Sequence, residues 1–330
     1  MGKISAPWLK LKAGIDREDY TLINRLQEQC VREDRITLKL ELDYKLEASQ
    51  ETGDGAGLQH INEFMYFDEQ QLVGYLGISH FGGTRSPLEV TGMVHPAYRR
   101  QGIFTRLYEM AVAEWKRRNS GGMLLLCDRA SVSGQKYIAK IDAVYRHSEY
   151  EMYLRQNHQK PQNELLSGGL SFRKATNADG REIARQNAIY FDDETYDAED
   201  ASKDADSEIT SEHESVDNDN DGLSLPETEE QRGMRIYLAE LNGQSIGKFH
   251  LQMTAEAGGI FGLGVLPEHR GQGFGRAILQ QAIEKLQEAD MKEIFLQVAA
   301  ENAKALQLYK SCGFQETSTM DYYEASCNRV

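Results

Sequence analysis

The feature that most constrains the fold is an internal repeat, in which two stretches of the 330-residue chain match at an offset of 171 residues. The matched pairs are Val94 and Val265, Pro96 and Pro267, Arg99 and Arg270, Gln101 and Gln272, and Gly102 and Gly273. Solenoid repeats have periods of about 20 to 50 residues, so a repeat this long indicates a duplicated domain.

Both copies show the same order of predicted elements. In the second copy an Asn-Gly dipeptide separates two apolar segments, which is a hairpin signal, and later segments have apolar residues at helical spacing. The second copy is predicted to form strands at 233–239, 245–253, 260–265, 293–298 and 316–325, and helices at 273–289 and 303–311. The first copy is predicted to form a hairpin at 60–80, strands at 88–94, 123–127 and 148–154, and helices at 104–118 and 133–140.

These elements predict an α/β (α+β) protein with two domains, each a mixed, mostly antiparallel sheet flanked by helices. We place the N-terminal domain at residues 1–157 and the C-terminal domain at 170–330. The linker, 158–169, is rich in Gln and Asn and contains Pro161 and paired glycines.

The net charge of −15 comes from one segment of the C-terminal domain. Residues 192–230 hold 17 acidic residues and a single basic residue, Lys203, so the rest of the chain is close to neutral. This segment has too few large apolar residues to bury a core and is predicted to be a mobile loop.

The acidic segment leaves two further possibilities open. Residues 217–222 match the start of an EF-hand calcium loop, but Thr228 stands where the bidentate glutamate belongs. We therefore predict no metal site. The loop could instead attract a cationic acceptor electrostatically.

Composition excludes several classes of protein. The chain has no run of 18 apolar residues and no basic stripe, so neither a membrane span nor nucleic-acid binding is predicted. The N-terminus has no apolar stretch of signal-peptide length. The four cysteines form no C-x-x-C pair and are interpreted as structural thiols, which suits a reducing, cytoplasmic location.

A glycine-rich turn in the second copy, residues 270–276, has the chemistry of an anion site. Glycines let backbone N–H groups converge on a phosphate, and the helix that follows adds unpaired donors. Arg270 and Arg276 place a guanidinium at each end. The nucleotide-binding P-loop does not fit, because it needs Lys and then Ser or Thr after its last glycine. The dinucleotide-binding loop does not fit either. It needs G-x-G-x-x-G in a βαβ unit, whereas this turn is G-x-G-x-G and follows a predicted antiparallel hairpin.

Residues 259–275 resemble motif A of the GNAT superfamily of N-acetyltransferases, whose pattern is Gln/Arg-x-x-Gly-x-Gly/Ala after a bulged strand. A second stretch resembles the helix that packs beside the coenzyme in that family. Its matching residues are Asn302, Ala305, Leu306, Tyr309, Lys310, Gly313 and Phe314. The match covers about residues 170–325, and it implies a GNAT-type domain with a splayed central strand pair.

The resemblance implies that acetyl-CoA is the co-substrate. Its pyrophosphate would sit on the turn, and its pantetheine arm would lie between strands 260–265 and 293–298. The implied coenzyme contacts are Leu263, Val265, Arg270, Gly271, Gln272, Gly273, Phe274, Gly275, Arg276 and Asn302. The Val265 N–H would polarise the thioester carbonyl.

The resemblance also implies catalytic roles, each with an alternative. Tyr309 would protonate the departing thiolate, but it could be a core aromatic residue. Asn302 could be only a helix N-cap. Glu256 is the carboxylate nearest in sequence to the expected acyl position and could be the base. Tyr322 and Tyr323 could line the acceptor pocket or simply pack.

The N-terminal copy resembles the family less closely, over about residues 15–155. It offers a second, weaker coenzyme site at Val94, Arg99, Arg100, Gln101 and Gly102. Phe104 replaces the last motif glycine, and the helix at 133–140 has Tyr137 but no clear asparagine. The layout resembles tandem GNAT proteins such as the mycothiol synthases, in which one domain carries most of the activity.

Two functions follow from this resemblance. The first is an N-acetyltransferase that moves an acetyl group from acetyl-CoA to an amine of a small molecule or peptide. The second is a non-catalytic tandem sensor or scaffold that binds acyl-CoA. The acceptor stays open, because acceptor pockets in this fold come from variable loops. The oligomeric state is also open.

Overall fold

A computed structural model of the protein describes residues 2–51, 60–80, 86–118, 120–155, 168–191, 225–254 and 257–325. The chain divides into two compact units. Unit 1 contains Met1–Arg155 together with Phe295–Val330, and unit 2 contains Gln156–Ile294. This division differs from the predicted domains, because the last part of the chain belongs with the first unit. Most of the predicted linker and residues 192–224 lie outside the described residues.

Unit 1 is built on a sheet of eight strands in the order β1-β2-β3-β4-β5-β12-β6-β11. Its strands are β1 (Pro7–Lys12), β2 (Glu63–Asp68), β3 (Gln71–Ser79), β4 (Leu88–Val94), β5 (Met123–Asp128), β6 (Val144–Leu154), β11 (Glu293–Ala299, from Phe295 onward) and β12 (Phe314–Glu324). Its helices are α1 (Arg17–Asp34), α2 (Leu42–Glu51), α3 (Ile103–Arg118), α4 (Val132–Lys140) and α8 (Ala303–Ser311). All neighbours are antiparallel except β4 and β5.

The final strand explains the unexpected boundary. β12 lies between β5 and β6, and it places Asp321 opposite Cys127 on one side and Tyr322 opposite His147 on the other. Tyr322 is only 1% exposed. A strand predicted for the second domain therefore completes the sheet of the first, and two strands of the N-terminal copy are separated by it.

The core of unit 1 forms on both faces of the sheet. On one face α3 presents Ile103, Leu107 and Ala111 at helical spacing, all at most 2% exposed. On the other face α1 presents Ile23 and Leu26 to residues of β2 and β3. Each fully buried aliphatic side chain contributes about 1.5–3 kcal/mol, so both helices are held by the sheet rather than by their own propensity.

Unit 2 contains an antiparallel sheet in the order β10-β9-β8-β7. Its strands are β7 (Leu170–Lys174), β8 (Met234–Leu241), β9 (Gln244–Met253) and β10 (Ala257–Val265), and its helices are α5 (Gly180–Phe191), α6 (Pro226–Gln231) and α7 (Phe274–Glu288). On α7, Ile278, Ala282 and Leu286 have no exposed surface. Their spacing puts them on one face, which packs on β9 and β10.

A β-bulge interrupts β10 where its register with β9 shifts between Phe261 and Gly264. Gly262 lies inside the bulge with φ of 54°, and a Cβ there would meet the His250 ring at 3.1 Å. Glycine thus permits both the backbone conformation and the close approach of the ring. The bulge lies in the last strand before the predicted phosphate turn.

The predicted loop and the structure differ at the end of the acidic segment. The sequence predicts a loop up to Glu230, whereas Pro226–Gln231 forms α6. Proline at the first helical position suits a helix start, because its missing N–H has no partner there in any helix. The Asn177 side chain also accepts a hydrogen bond from the Glu227 N–H at 3.1 Å, which holds this first turn.

Candidate functional site

The predicted phosphate turn joins β10 to α7 and leaves its backbone accessible. Gly271 and Gly273 have φ of 77° and 88°, which glycine adopts without strain. α7 begins at Phe274, directly after them, so the unpaired N–H groups of the first helical turn lie here. A Cβ added at Gly271 would meet no heavy atom within 4 Å. The turn is therefore an open surface rich in donors, as an anion site requires.

The side chains of this turn fix its path. Arg270 Nε donates to the Val265 carbonyl oxygen at 2.9 Å, and Gln272 Nε2 donates to the Glu268 carbonyl oxygen at 3.2 Å. Phe274 is buried and anchors the start of the helix. The other predicted contacts are half-buried or exposed: Leu263, Gly275 and Arg276.

The N-terminal turn has the same backbone construction. Arg100 and Gly102 have φ of 65° and 82°, and α3 begins at Ile103. Arg99 Nε donates to the Val94 carbonyl oxygen at 3.0 Å, as its counterpart does in the second copy. The sequence repeat is therefore also a structural repeat, and it includes this arginine hydrogen bond.

The N-terminal turn differs in its side chains. The Arg99 guanidinium makes a two-pronged contact with the Asp34 carboxylate at 2.8 and 2.7 Å, and Gln101 donates to the Gly2 carbonyl oxygen at 2.7 Å. Arg100 stands in the left-handed region where the other copy has glycine, which costs a non-glycine residue about 1–2 kcal/mol. Part of this turn is therefore committed to contacts within the protein.

Beside this turn a cleft opens inside unit 1. β4 and β5 pair only through Leu88–Val90 and Met123–Leu125, although both strands continue beyond this pairing. The cavity there has a volume of about 930 Å³, and four residues of the predicted second site line it: Val94, Arg99, Arg100 and Gly102. The splayed strand pair is thus visible in the N-terminal copy. For the second copy it stays a prediction.

Two aromatic residues occupy part of this cleft. The rings of Phe104 and Tyr137 lie 4.6 Å apart, edge to face. The Tyr137 hydroxyl has no hydrogen-bond partner of normal geometry among the described residues. Burial raises the pKa of the phenol to about 12, and Thr105 nearby lowers it slightly. A buried hydroxyl without a partner costs about 1–3 kcal/mol, so a ligand that accepts a hydrogen bond would be stabilised here.

A family model described as the acetyltransferase (GNAT) family matches the chain over residues 22–136 and 195–314. The chain belongs to the GNAT family. Each matched range contains one of the two glycine turns, so both copies are GNAT domains. The predicted tandem fold is confirmed.

The chain is similar to several acetyltransferases. It is 34% identical over 89 residues to the ribosomal protein bS18-alanine N-acetyltransferase of Escherichia coli K12, covering 27% of this chain and 60% of that protein. It is 24% identical over 255 residues to the mycothiol acetyltransferase of Saccharomonospora viridis, covering 76% of this chain and 78% of that protein. The chain therefore spans less than two thirds of the first relative's length.

Solved structures share this fold over nearly the whole chain. A tandem GNAT protein from the clavulanic acid biosynthesis pathway matches with a TM-score of 0.67 at 14% identity, covering 98% of this chain and 99% of that chain. A GCN5-related N-acetyltransferase from Sphaerobacter thermophilus matches with a TM-score of 0.66 at 18% identity, covering 97% and 96%. At these identities the likeness concerns the fold.

The two residues predicted on α8 lie in unit 1. Asn302 is exposed and its Oδ1 accepts from the Ala305 N–H at 3.1 Å, so it is the N-cap of the helix. Tyr309 is 8% exposed, and burial raises its pKa to about 12. At neutral pH its phenol is protonated and can donate a hydrogen bond. Whether either residue contacts coenzyme stays a prediction.

Other predicted residues have simpler surroundings. The Tyr322 hydroxyl donates to Glu149 and accepts from Lys39 Nζ, and the Tyr323 hydroxyl donates to Gln135 at 2.9 Å. Both are thus held by neighbours within unit 1. Glu256 and residues 217–222 lie outside the described residues.

One counterpart was missed by the sequence analysis. Ser131 caps α4 by accepting from the Gly134 N–H at 3.1 Å, as Asn302 caps α8. Subtracting the offset of 171 from 302 gives 131, so the repeat itself carried this signal. The same subtraction pairs Tyr309 with Ile138 rather than with Tyr137.

A second missed feature is the pair Lys248 and His250 on β9. These residues alternate along the strand and so share one face. Lys248 has no exposed surface, and its amine donates to the Gly262 carbonyl oxygen at 3.1 Å inside the bulge of β10. A lysine in a strand ordinarily faces solvent, which is why the sequence alone did not single it out.

Three further observations bear on the predicted exclusions. Cys30, Cys127 and Cys312 are buried and form no disulfide among the described residues. The described residues also contain no group of three or more His, Cys, Asp or Glu side chains that could hold a metal ion. No helix in the described ranges is long and apolar enough to cross a bilayer.

Proposed function

We propose that the protein is an N-acetyltransferase that moves the acetyl group of acetyl-CoA to an amine of a small molecule or peptide. The observation that carries this proposal is the open glycine turn at the start of α7, which follows the bulged strand β10. Relatives named for alanine, spermidine and mycothiol acetylation support an amine-bearing acceptor in general. We propose the cytoplasm as its location, which suits the unpaired cysteines Cys30 and Cys127.

The turn fits the diphosphate of coenzyme A. Any side chain at position 271 would project into the open space in front of the turn, and glycine leaves that space to a ligand. The guanidinium of Arg270 is exposed, and its Nε donates to the Val265 carbonyl oxygen. Charge-assisted hydrogen bonds of this kind contribute about 1.5–3 kcal/mol each.

The remaining residues would act on the thioester, which acetyl-CoA supplies as the acyl donor. The Val265 N–H would donate to the carbonyl oxygen, and Leu263 would line the arm of the coenzyme. Tyr309 would donate to the departing sulfur. Because its pKa is raised to about 12, it would stabilise the thiolate by hydrogen bonding more readily than by complete proton transfer.

A second function is favoured for the N-terminal copy. Its cleft is open, but Arg100 is in a strained conformation, Arg99 is paired with Asp34, and Phe104 occupies the place of a motif glycine. These features suit a site that binds acyl-CoA without turnover. The C-terminal domain would then be the acetyltransferase, and the N-terminal domain would be an acyl-CoA sensor.

The experiment is a thiol-release assay with acetyl-CoA and three amines: spermidine, glucosamine and a peptide with N-terminal alanine. Arg270→Ala would remove the proposed phosphate contact, so the Kd for coenzyme A, measured by calorimetric titration, should rise about 10- to 100-fold. Arg235→Ala is the matched control, because Arg235 is also an exposed arginine of unit 2 but lies on β8. Equal coenzyme affinity in wild type and Arg270→Ala would reject the assigned site.

A further inference from the structure

Lys248 and His250 form a polar contact next to the predicted acyl site that the roles above do not use. The Lys248 amine lies 3.2 Å from His250 Nε2 as well as 3.1 Å from the Gly262 carbonyl oxygen. Lys248 is fully buried, whereas His250 is partly exposed. The pair thus joins the interior of unit 2 to its surface.

The pair also lies against the strand that carries the predicted thioester contact. Gly264 is the cross-strand partner of Lys248, and Phe261 is the partner of His250. Val265 follows Gly264 directly. A proton acceptor on this part of β9 is therefore next to the backbone predicted to hold the acyl group.

Burial favours the neutral forms of both side chains. Burial lowers the pKa of Lys248 to about 7, and burial together with Lys248 lowers the pKa of His250. Among the described elements, α5 presents the Tyr190 ring 5.5 Å from the Lys248 amine. Further along α5, Glu182 and Arg185 bond to each other. The strand neighbours are uncharged: Ile236 and Leu238 on β8, and Phe261 and Gly264 on β10.

On the opposite face of β9, α7 presents Lys285, whose amine lies over the Tyr237 ring. Tyr237 stacks on Phe249, and Phe249 points away from Lys248 because the two are consecutive in the strand. The sheet thus separates Lys285 from the pair.

We propose that Lys248 and His250 are the proton-accepting pair of the C-terminal transfer site, with His250 contacting the acceptor ammonium and Lys248 taking up the proton behind it. A neutral amine has two hydrogens and one lone pair, so Lys248 in that form can donate to the Gly262 carbonyl oxygen and accept from His250 Nε2–H. His250 is then the catalytic residue and Lys248 a positioning residue that acts through it. This inference rests on the proposed function.

The proposed steps account for both protons that leave the acceptor nitrogen. The acceptor arrives as an ammonium and gives one proton to His250 Nδ1, while the Nε2 proton passes to Lys248. The acceptor nitrogen then forms a C–N bond with the acetyl carbonyl carbon, and the C–S bond breaks with its electron pair on sulfur. The second proton of that nitrogen neutralises the thiolate. Lys248 returns its proton to water through His250, so one proton is released for each acetyl group transferred.

The test is the pH profile of kcat/KM between pH 5.5 and 9.5, measured with the full chain and the three amines named above. Wild type should reach a plateau above about pH 7. Lys248→Met should lower kcat/KM about 100-fold at pH 7, and its log rate should rise with a slope of one toward the pKa of the amine. Lys292→Met, which changes an exposed lysine of the same unit, should match wild type.

Three outcomes separate the possibilities. If Lys248→Met lowers kcat/KM by the same factor at every pH, Lys248 only stabilises the β10 bulge through its hydrogen bond to Gly262, and the inference is overturned. If Lys248→Met fails to bind coenzyme A, His250→Gln provides the same test, and a wild-type plateau in that variant would overturn it. If wild type releases no thiol with any amine, the proposed function fails and the inference fails with it.

Discussion

The two glycine turns share one backbone path but differ in what surrounds them. In both turns an arginine Nε donates to the carbonyl oxygen of the last strand residue. Two residues with left-handed backbone conformation then come just before the helix. The C-terminal turn has glycine at both left-handed positions, and its arginine is exposed. The N-terminal turn has Arg100 at one of them, and its arginine is paired with Asp34. The shared geometry belongs to the fold, whereas the side chains decide whether a turn is available to a ligand.

The helices behind the turns differ as well. Glu114 of α3 corresponds to Lys285 of α7 at the same offset of 171. Glu114 is 5% exposed and accepts hydrogen bonds from Arg117 and Arg118, whereas Lys285 lies over an aromatic ring. The first copy thus carries a buried charged cluster in the place where the second has a cation–π contact.

The largest effect is expected from Gly271→Val, which should lower coenzyme affinity and turnover by more than about 100-fold. The new side chain would enter the open space of the turn in a conformation that costs a β-branched residue about 1–3 kcal/mol. Gly243→Val is a matched control, because Gly243 has φ of 82° and equally open space but lies in a hairpin turn. Calorimetric titration with coenzyme A measures both. Equal losses in the two variants would mean that general strain, and not the site, is responsible.

The charged cluster of the first copy should make unit 1 sensitive to acid. Burial alone would raise the pKa of Glu114, but hydrogen bonds from Arg117 and Arg118 lower it to about 2. Its stabilisation is therefore complete above the ordinary value of 4.5 and is lost as the pH falls toward 2. Glu114→Gln should lose about 2 kcal/mol at pH 7 and flatten that dependence. Urea unfolding at several pH values tests this; an unchanged acid profile would contradict it.

Tyr309→Phe should lower kcat about 10-fold while the KM for acetyl-CoA stays within about twofold, because it removes a donor that acts on the leaving sulfur. Tyr20→Phe is the control, since that hydroxyl bonds to Asp43 and the residue has no proposed role in the site. Steady-state thiol release gives both constants. A rise in KM with constant kcat would assign Tyr309 to binding alone.

The smallest effect is expected from Arg100→Gly, which makes the N-terminal turn resemble the C-terminal one. Relief of the left-handed conformation should stabilise unit 1 by about 0.5–1 kcal/mol. Denaturant midpoints compare the variant with wild type. A loss of stability would show that the Arg100 side chain makes contacts that outweigh its backbone strain.

Much of the fold could be predicted because it is local. The strand Leu88–Val94 and the helix Ala303–Ser311 have the predicted bounds, since proline, glycine and apolar periodicity act within a few residues. The position of β12 could not be predicted, because its partners β5 and β6 lie more than 150 residues away in sequence. A pattern of alternating residues identifies a strand but not its neighbours.

The candidate site also has parts that the sequence could predict and parts that it could not. The turn at Arg270–Arg276 was accessible to sequence analysis because its glycines have a local conformational reason. The contact between Lys248 and His250 was not, because it depends on the burial of a strand face that the sequence does not reveal. The Arg99–Asp34 pair likewise joins residues 65 positions apart.

The most direct test of the C-terminal site is amide hydrogen exchange with and without coenzyme A, resolved at residues 271–276 and 100–104. If the turn before α7 holds the diphosphate, exchange of the amides from Gly271 to Arg276 should slow at least tenfold when the coenzyme is added. Unchanged exchange there, with protection confined to the N-terminal turn, would contradict the account.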